Sequence, residues 1–324
     1  MGVILITSLI VGLRHEVGAD WFHYADHIDA ARLDPWTFAL GGTDPAYSLI
    51  TAFGAAWGGD HLVNSICAVV FCWGLAGFCR AQPHPWLALA VAVPYLVVVV
   101  AMGYTRQGVA LGLVMVAMVA LANGYIWRFT QAAIAAALFH KTAVILILLA
   151  VFSGSTALWF RILLIPIVAS GMFIALLQDS VDFLVNGYLL AEYDSAGAAV
   201  RITMNAFPAA IFLLWRKRFQ LNPNEQQFWT NMSLVALLTI PILIFSPSST
   251  AVDRMAVYWI PLQLYVWSRV PLAFSGKSSV FRAWTALVLV YSAAVLLVWL
   301  LFADHAFAWL PYRFYPFVWL GDVL

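Results

Sequence analysis

The chain alternates long apolar runs with short polar interruptions, and the runs have the length of membrane-crossing helices. Residues 62–78, 86–102, 106–123, 162–177, 203–215, 228–245, 255–267 and 284–302 each read as a crossing or most of one, because a helix needs ~20 predominantly apolar residues to span a bilayer. Helix-ending signals separate them. Arg80 precedes the turn Gln82-Pro83-His84-Pro85, and Asn123-Gly124 precedes Trp127-Arg128, where a post-helical glycine and an interfacial aromatic beside a cation mark a boundary. Residues 1–13 are apolar without a basic region or cleavage site and read as an anchor rather than a signal peptide. At roughly 13 residues this segment is shorter than a full span, which leaves room for an upstream extension of the natural protein. Residues 47–57, about 11 apolar positions, are also too short to cross and read as a re-entrant or interfacial helix.

Two stretches break the pattern. Residues 14–47 form a polar island of carboxylates, histidines and aromatics, RHEVGADWFHYADHIDAARLDPWTFALGGTDPAY. His140-Lys141 interrupts the centre of 129–152, a run of ~24 residues otherwise long enough for one crossing, at a depth where charge is costly. Charge sidedness arbitrates. A single span forces Arg216-Lys217-Arg218 to the side of the acidic first loop, whereas a hairpin turning near His140 separates them. The hairpin gives about 11 crossings. Arg80, Arg128, Arg161, Arg216, Lys217, Arg218, Arg269, Lys277 and Arg282 then share a side with the single acid Glu225, and all other acids lie opposite. By the positive-inside rule the first side is cytoplasmic, so 14–47, Arg106, His140, 178–202 and Asp253-Arg254 face outward. The expected fold is an all-α polytopic membrane protein, with 1–324 as one integral membrane domain, 14–47 and 178–202 as outer loops, and no internal repeat or soluble domain.

Composition agrees: 64% of residues are apolar and 10% charged, with a mean hydropathy of +0.91, which excludes an ordinary soluble domain. A net charge of +1 gives no reason to expect nucleic acid. Cys67, Cys72 and Cys79 fall in one apolar helix and read as small buried hydrophobes.

The candidate chemistry gathers on the outer side. Asp20, Tyr24 and His27 fall at i, i+4 and i+7, so in a helix they share a face, with His23 beside it. His23 and His27 have a two-histidine spacing but lack the glutamate of a metalloprotease helix, and no metal is expected. Asp44-Pro45 reads as a helix N-cap and as a structural or base candidate. Arg106 opens a helix with no acid near it in sequence, at the mouth of the expected cavity, and arginine suits bidentate phosphate recognition. His140, deep in an alanine-rich run, suits proton transfer or phosphate orientation. Arg254 and Tyr258 lie four apart and are expected to point inward, with Asp253 capping their helix. In 178–202, Tyr188, Glu192 and Arg201 combine aromatic faces with charge, as carbohydrate binding uses and as a solvated loop also contains.

The order Arg14, Gly18, Asp20, Tyr24, then Asp44-Pro45 with Tyr47, later Arg106 opening a helix, His140 after an alanine-rich run, and Asp253-Arg254 with Tyr258, resembles the EpsG family of bacterial exopolysaccharide proteins, grouped with Wzy-type polysaccharide polymerases. Asp44-Pro45 departs from the more usual Glu-Pro-Gly, and the first helix is short. The resemblance implies a GT-C-like membrane glycosyltransferase of the bacterial inner membrane, active on the periplasmic side. It would polymerise undecaprenyl-pyrophosphate-linked oligosaccharides alongside a flippase and a chain-length regulator, in exopolysaccharide, capsule or O-antigen synthesis. Arg106 and Arg254 are then expected to hold the pyrophosphate, Asp20 or His140 to accept the proton, and Arg14 to place the lipid phosphate or the first loop. No cofactor is expected, because the chain has neither a glycine-rich phosphate loop nor a domain to hold a nucleotide sugar. A glycan ligase, a lipid-linked-glycan flippase or exporter, and a membrane O-acyltransferase are the alternatives.

Overall fold

The computed structural model describes residues 2–146, 197–246 and 249–318, together with positions 163 and 170. Among them the regular structure is helical, and the only extended pairing is an isolated antiparallel bridge between Arg14 and Phe314. The helices are α1 (Gly2–Gly12), α2 (Trp21–Leu33), α3 (Pro35–Gly41), α4 (Pro45–Trp57), α5 (Gly59–Arg80), α6 (Pro85–Ala92), α7 (Thr105–Ala122), α8 (Ile126–Phe139), α9 (Ala198–Trp215), α10 (Pro223–Phe245), α11 (Ser249–Ala256), α12 (Ile260–Phe274) and α13 (Ser278–Phe302). Proline at the first turn starts several of them, where its missing N–H costs nothing. Asp34 and Asn222 complete two such starts by accepting the N–H of Thr37 (3.1 Å) and Glu225 (2.8 Å).

Among the described residues five helices are long and apolar enough to cross a membrane: α5, α7, α9 with its continuation to Phe219, α10 and α13. They coincide with the runs 62–78, 106–123, 203–215, 228–245 and 284–302, and the chain is a membrane protein. The run 86–102 is a shorter apolar helix in which α6 widens into a π-helix over Val93–Ala101. Pro94, at the start of that widening, supplies no N–H to the ladder. The run 255–267 straddles a bend, a 3-10 turn over Val257–Trp259 between α11 and α12. The chain does break at His140, which is extended (φ −156°, ψ 113°) and followed by a 3-10 turn over Lys141–Leu146. The expected span 162–177 and most of the loop 178–202, with Tyr188 and Glu192, lie outside the described residues.

α7 is the centre of the bundle and α13 its periphery, with 78% and 11% of their apolar windows buried. α5 and α7 touch backbone to backbone: a Cβ on Gly74 would stand 2.0 Å from the Gly112 carbonyl oxygen, and one on Gly112 would stand 2.6 Å from Phe71 Cα. Such approach is open only to small residues.

The helix ends sort into two sets. At one end, Arg269 pairs with Glu225 (3.3 Å), lies 3.6 Å from the Tyr265 ring centroid and donates to Gln82, while Tyr265 donates its hydroxyl to Glu225 (2.8 Å). Arg218 lies over Phe274 at the same end. At the other end of α5, the chain leaving α13 folds back across the first loop as a strap, residues 303–318. Gly18 donates its N–H to Ala308 (2.9 Å), Tyr315 to Leu13 (2.8 Å), and the Trp309 indole to the Val98 carbonyl in the π-helix (2.8 Å). The Tyr315 ring stacks on His61 at 3.6 Å. Gly18 has φ +110°, and a Cβ there would meet the Met102 carbonyl at 2.5 Å, so only glycine lets the loop pass this close. The two sets hold residues that charge sidedness assigns to opposite sides of the chain.

Candidate functional site

The site is assembled at the strap end from α2, the start of α4, the start of α7, the break after α8, and α11. Asp44 is its hub. It occupies the N-cap position of α4, but its side chain makes no capping bond there. It is 4% exposed and turns instead to three partners: Arg106 Nη1 at 3.0 Å, the Lys141 N–H at 3.1 Å, and His140 Nδ1 at 3.7 Å, an electrostatic neighbour beyond hydrogen-bond range. Burial works against its ionisation, but His140, Arg106 and the Lys141 amide outweigh it, so the carboxyl titrates below the usual aspartate range.

Arg106 lies in the first turn of α7, where the helix dipole disfavours a cation. Asp44 offsets that, as do the rings of Tyr24 and Tyr47, whose centroids lie 5.8 Å and 5.7 Å from the guanidinium carbon. Tyr24 is buried, and burial followed by the charge of Asp20 pushes its phenol up to about 12, leaving it a neutral donor. His27 is lowered by burial and then by His23 and Arg106; its ring lies 4.5 Å from that of His23. Among the described residues no cluster of three metal-ligating side chains forms.

Asp20 differs from Asp44. It holds the N-cap position of α2 without a capping bond, and no described residue hydrogen-bonds its carboxylate. Burial raises its pKa, and Arg254, Arg106, His23 and His305 are the charges that pull it back. Burial, rather than a bound partner, governs this group.

Sequence reading and structure part at Asp253 and Arg254, while at Arg14 the structure fits one of the two expected roles, placing the first loop. Arg14 was expected at the lipid phosphate or positioning the first loop. It is 1% exposed and its guanidinium is consumed by Val11 O (2.6 Å), Val17 O (3.2 Å), Asn64 Oδ1 (3.1 Å) and Thr105 Oγ1 (2.7 Å). It ties the first loop to α1, α5 and α7 and does not reach the opening. Asp253 was expected as a cap, but it lies within α11, is buried and is ion-paired to Arg201. Arg254 was expected inward and is exposed, with only its backbone carbonyl held, by Gln107 Nε2 at 2.7 Å. Tyr258 is inward, its hydroxyl 3.0 Å from Thr142 Oγ1.

The structure thus brings Asp20, Tyr24, Asp44, Arg106, His140, Arg201, Arg254 and Tyr258 to one end of the bundle. It adds residues that sequence reasoning missed. His305 enters from the strap, and the signal available was Asp304-His305 directly after a span ending on the outer side. Asn64 and Thr105 hold Arg14; the only hint was a polar side chain at the start of each of two apolar helices.

Helices long enough to cross a membrane, capped at one end by a charged and largely buried cluster, define a polytopic membrane protein with a polar site at one face. The EpsG family model matches residues 1–314, and the chain belongs to the EpsG family. No curated protein and no solved structure matches it.

Proposed function

We propose that the protein is a polysaccharide polymerase, a membrane glycosyltransferase that joins undecaprenyl-pyrophosphate-linked oligosaccharide units at the periplasmic face of the bacterial inner membrane. Membership of the EpsG family supports the polymerase class. The observation that carries the chemistry is a carboxylate without a hydrogen-bond partner, Asp20, electrostatically coupled to two arginines, Arg254 and Arg106.

In this reading an acceptor sugar hydroxyl attacks the anomeric carbon of the lipid-linked glycan. Its proton passes to Asp20, the bond from that carbon to the pyrophosphate oxygen breaks, and the new glycosidic bond forms. The negative charge left on the lipid pyrophosphate is taken up by Arg254 and Arg106. Arg254, exposed and without a carboxylate partner, closes on the ligand, whereas Arg106 is already aimed by Asp44. Asp44 is therefore a positioning residue and His140 its second client, held where it can orient a phosphate or relay the proton. Tyr24 and Tyr258 contribute hydroxyls at the edge of the site, and Arg201, in the first turn of α9, binds glycan together with Tyr188 and Glu192. The reading includes about 11 crossings in a GT-C-like arrangement, and a flippase and a chain-length regulator as functional partners.

The test is to express Asp20→Asn, Arg106→Ala, Arg254→Ala and His140→Ala in the native host, confirm membrane levels, and resolve lipid-linked glycans by length. Accumulation of single repeat units with loss of long polymer is expected. Long chains retained on the carrier would make the protein a ligase, and units trapped on the inner leaflet would make it a flippase.

A further inference from the structure

Nothing in the proposed reaction uses the outward surface of α2 and α3. Leu33, Trp36 and Leu40 are 89%, 77% and 81% exposed, in a loop whose other outward positions are mostly polar. Trp36 and Leu40 lie four apart and share one face of α3. α3 packs along α4, and α4 presents its own outward stripe of Leu49, Phe53 and Trp57 at i, i+4 and i+8. An apolar surface of this extent in water is rare and marks something that covers it.

The surroundings of this surface identify what covers it. The surface continues from the apolar exterior of a bundle that crosses a membrane, and it ends in charge. Asp29 and Arg32 of α2 form an exposed pair at 2.9 Å, and Asp34, fully exposed, accepts the Thr37 N–H, which keeps its carboxyl below the usual range. Exposed tryptophan and leucine beside fixed charge, continuous with the apolar exterior of the bundle, are the profile of a segment lying at the lipid headgroups.

We propose that the α2–α3 hairpin dips into the leaflet on its side of the membrane, seating Leu33, Trp36 and Leu40 at the boundary of headgroups and acyl chains. The loop that carries Asp20 and Tyr24 is thereby held at the level of the lipid surface. This depends on the membrane environment alone and is independent of the reaction assigned above.

The experiment uses the full chain in nanodiscs of phosphatidylethanolamine and phosphatidylglycerol. Leu40→Cys and, as a reference at an exposed charged position of α2, Asp26→Cys are labelled with an environment-sensitive fluorophore. Because Cys67, Cys72 and Cys79 are buried, the unsubstituted chain treated identically sets the background. Lipids carrying a nitroxide near the headgroup are expected to quench the label at 40 several-fold more than the label at 26, with aqueous iodide giving the reverse order. Equal iodide quenching at both positions would show a surface bare to water and overturn the proposal. A label at 40 shielded from both quenchers would overturn it too, by showing that a protein partner or a second copy covers the face.

Discussion

At the scale of single residues, two aspartates in one site have been given opposite tasks by their surroundings. Asp44 has three partners and stays ionised; Asp20 has none and is governed by burial. A base must be deprotonated to act, so polymer formation should fall as pH drops through the raised pKa of Asp20, at a pH above the ordinary aspartate value of 3.8. Arg254 lowers that pKa, so Arg254→Ala should move the acid limb further toward neutrality while Asp20→Asn removes activity by about 100-fold or more. Initial rates of chain extension in proteoliposomes across pH measure both, and an acid limb unmoved by Arg254→Ala would separate the two residues. Sequence reading singled out Asp20, Asp44, Arg106 and His140 because charge in an apolar chain is conspicuous, and the fold gathers them at one end of the bundle. That reading left Arg106 without an acid, since Asp44 is 62 positions away and periodicity carries no information about contacts at that range. It also left open which of two roles Arg14 takes, because a polar run hides which of its members is folded inward.

At the scale of elements, the closest contact in the bundle is the α5–α7 crossing, where Gly74 and Gly112 let the two backbones meet. Gly74→Ala puts a methyl group into the Gly112 carbonyl, which is backbone and cannot rotate away. The helices must separate, at an expected cost of about 1–3 kcal/mol, read as a lowered midpoint of thermal unfolding in detergent. An unchanged midpoint would mean that the crossing has slack. Apolar length identified both helices from the sequence, but the pairing of the glycines required knowing which helices are neighbours. The π-helical stretch was equally hidden. Pro94 announced a disturbance, but not that the ladder would widen through to Ala101, nor that the freed Val98 carbonyl would take the Trp309 indole.

At the scale of the whole molecule, Arg14 links the largest number of parts. One guanidinium binds a carbonyl of α1, a carbonyl of its own loop, a side chain of α5 and a side chain of α7. Arg14→Met keeps the bulk and removes all four bonds, stranding Asn64, Thr105 and two carbonyls. A loss of about 2–5 kcal/mol is expected, seen as reduced thermal stability and as faster proteolysis of the first loop in purified protein. Retained stability with lost polymerisation would instead return Arg14 to the substrate. The distribution of lysine and arginine suggested a division of the chain into two sides, and the fold gathers 14–20, 106, 140, 201 and 253 at one end of the bundle. The strap was not readable, because residues 303–318 are too mixed in character to predict either a helix or a docking surface.

The strap also sets an order of events in biosynthesis. Residues 14–20 are delivered to their side of the membrane an entire bundle before residues 303–318 leave the ribosome. Until α13 has been threaded through the insertion machinery, the Gly18 N–H, the Val98 carbonyl and the face of His61 lack the partners that the strap supplies. The first loop therefore matures only after α13 arrives, and a chain whose translation halts before α13 reaches the bilayer without a finished site.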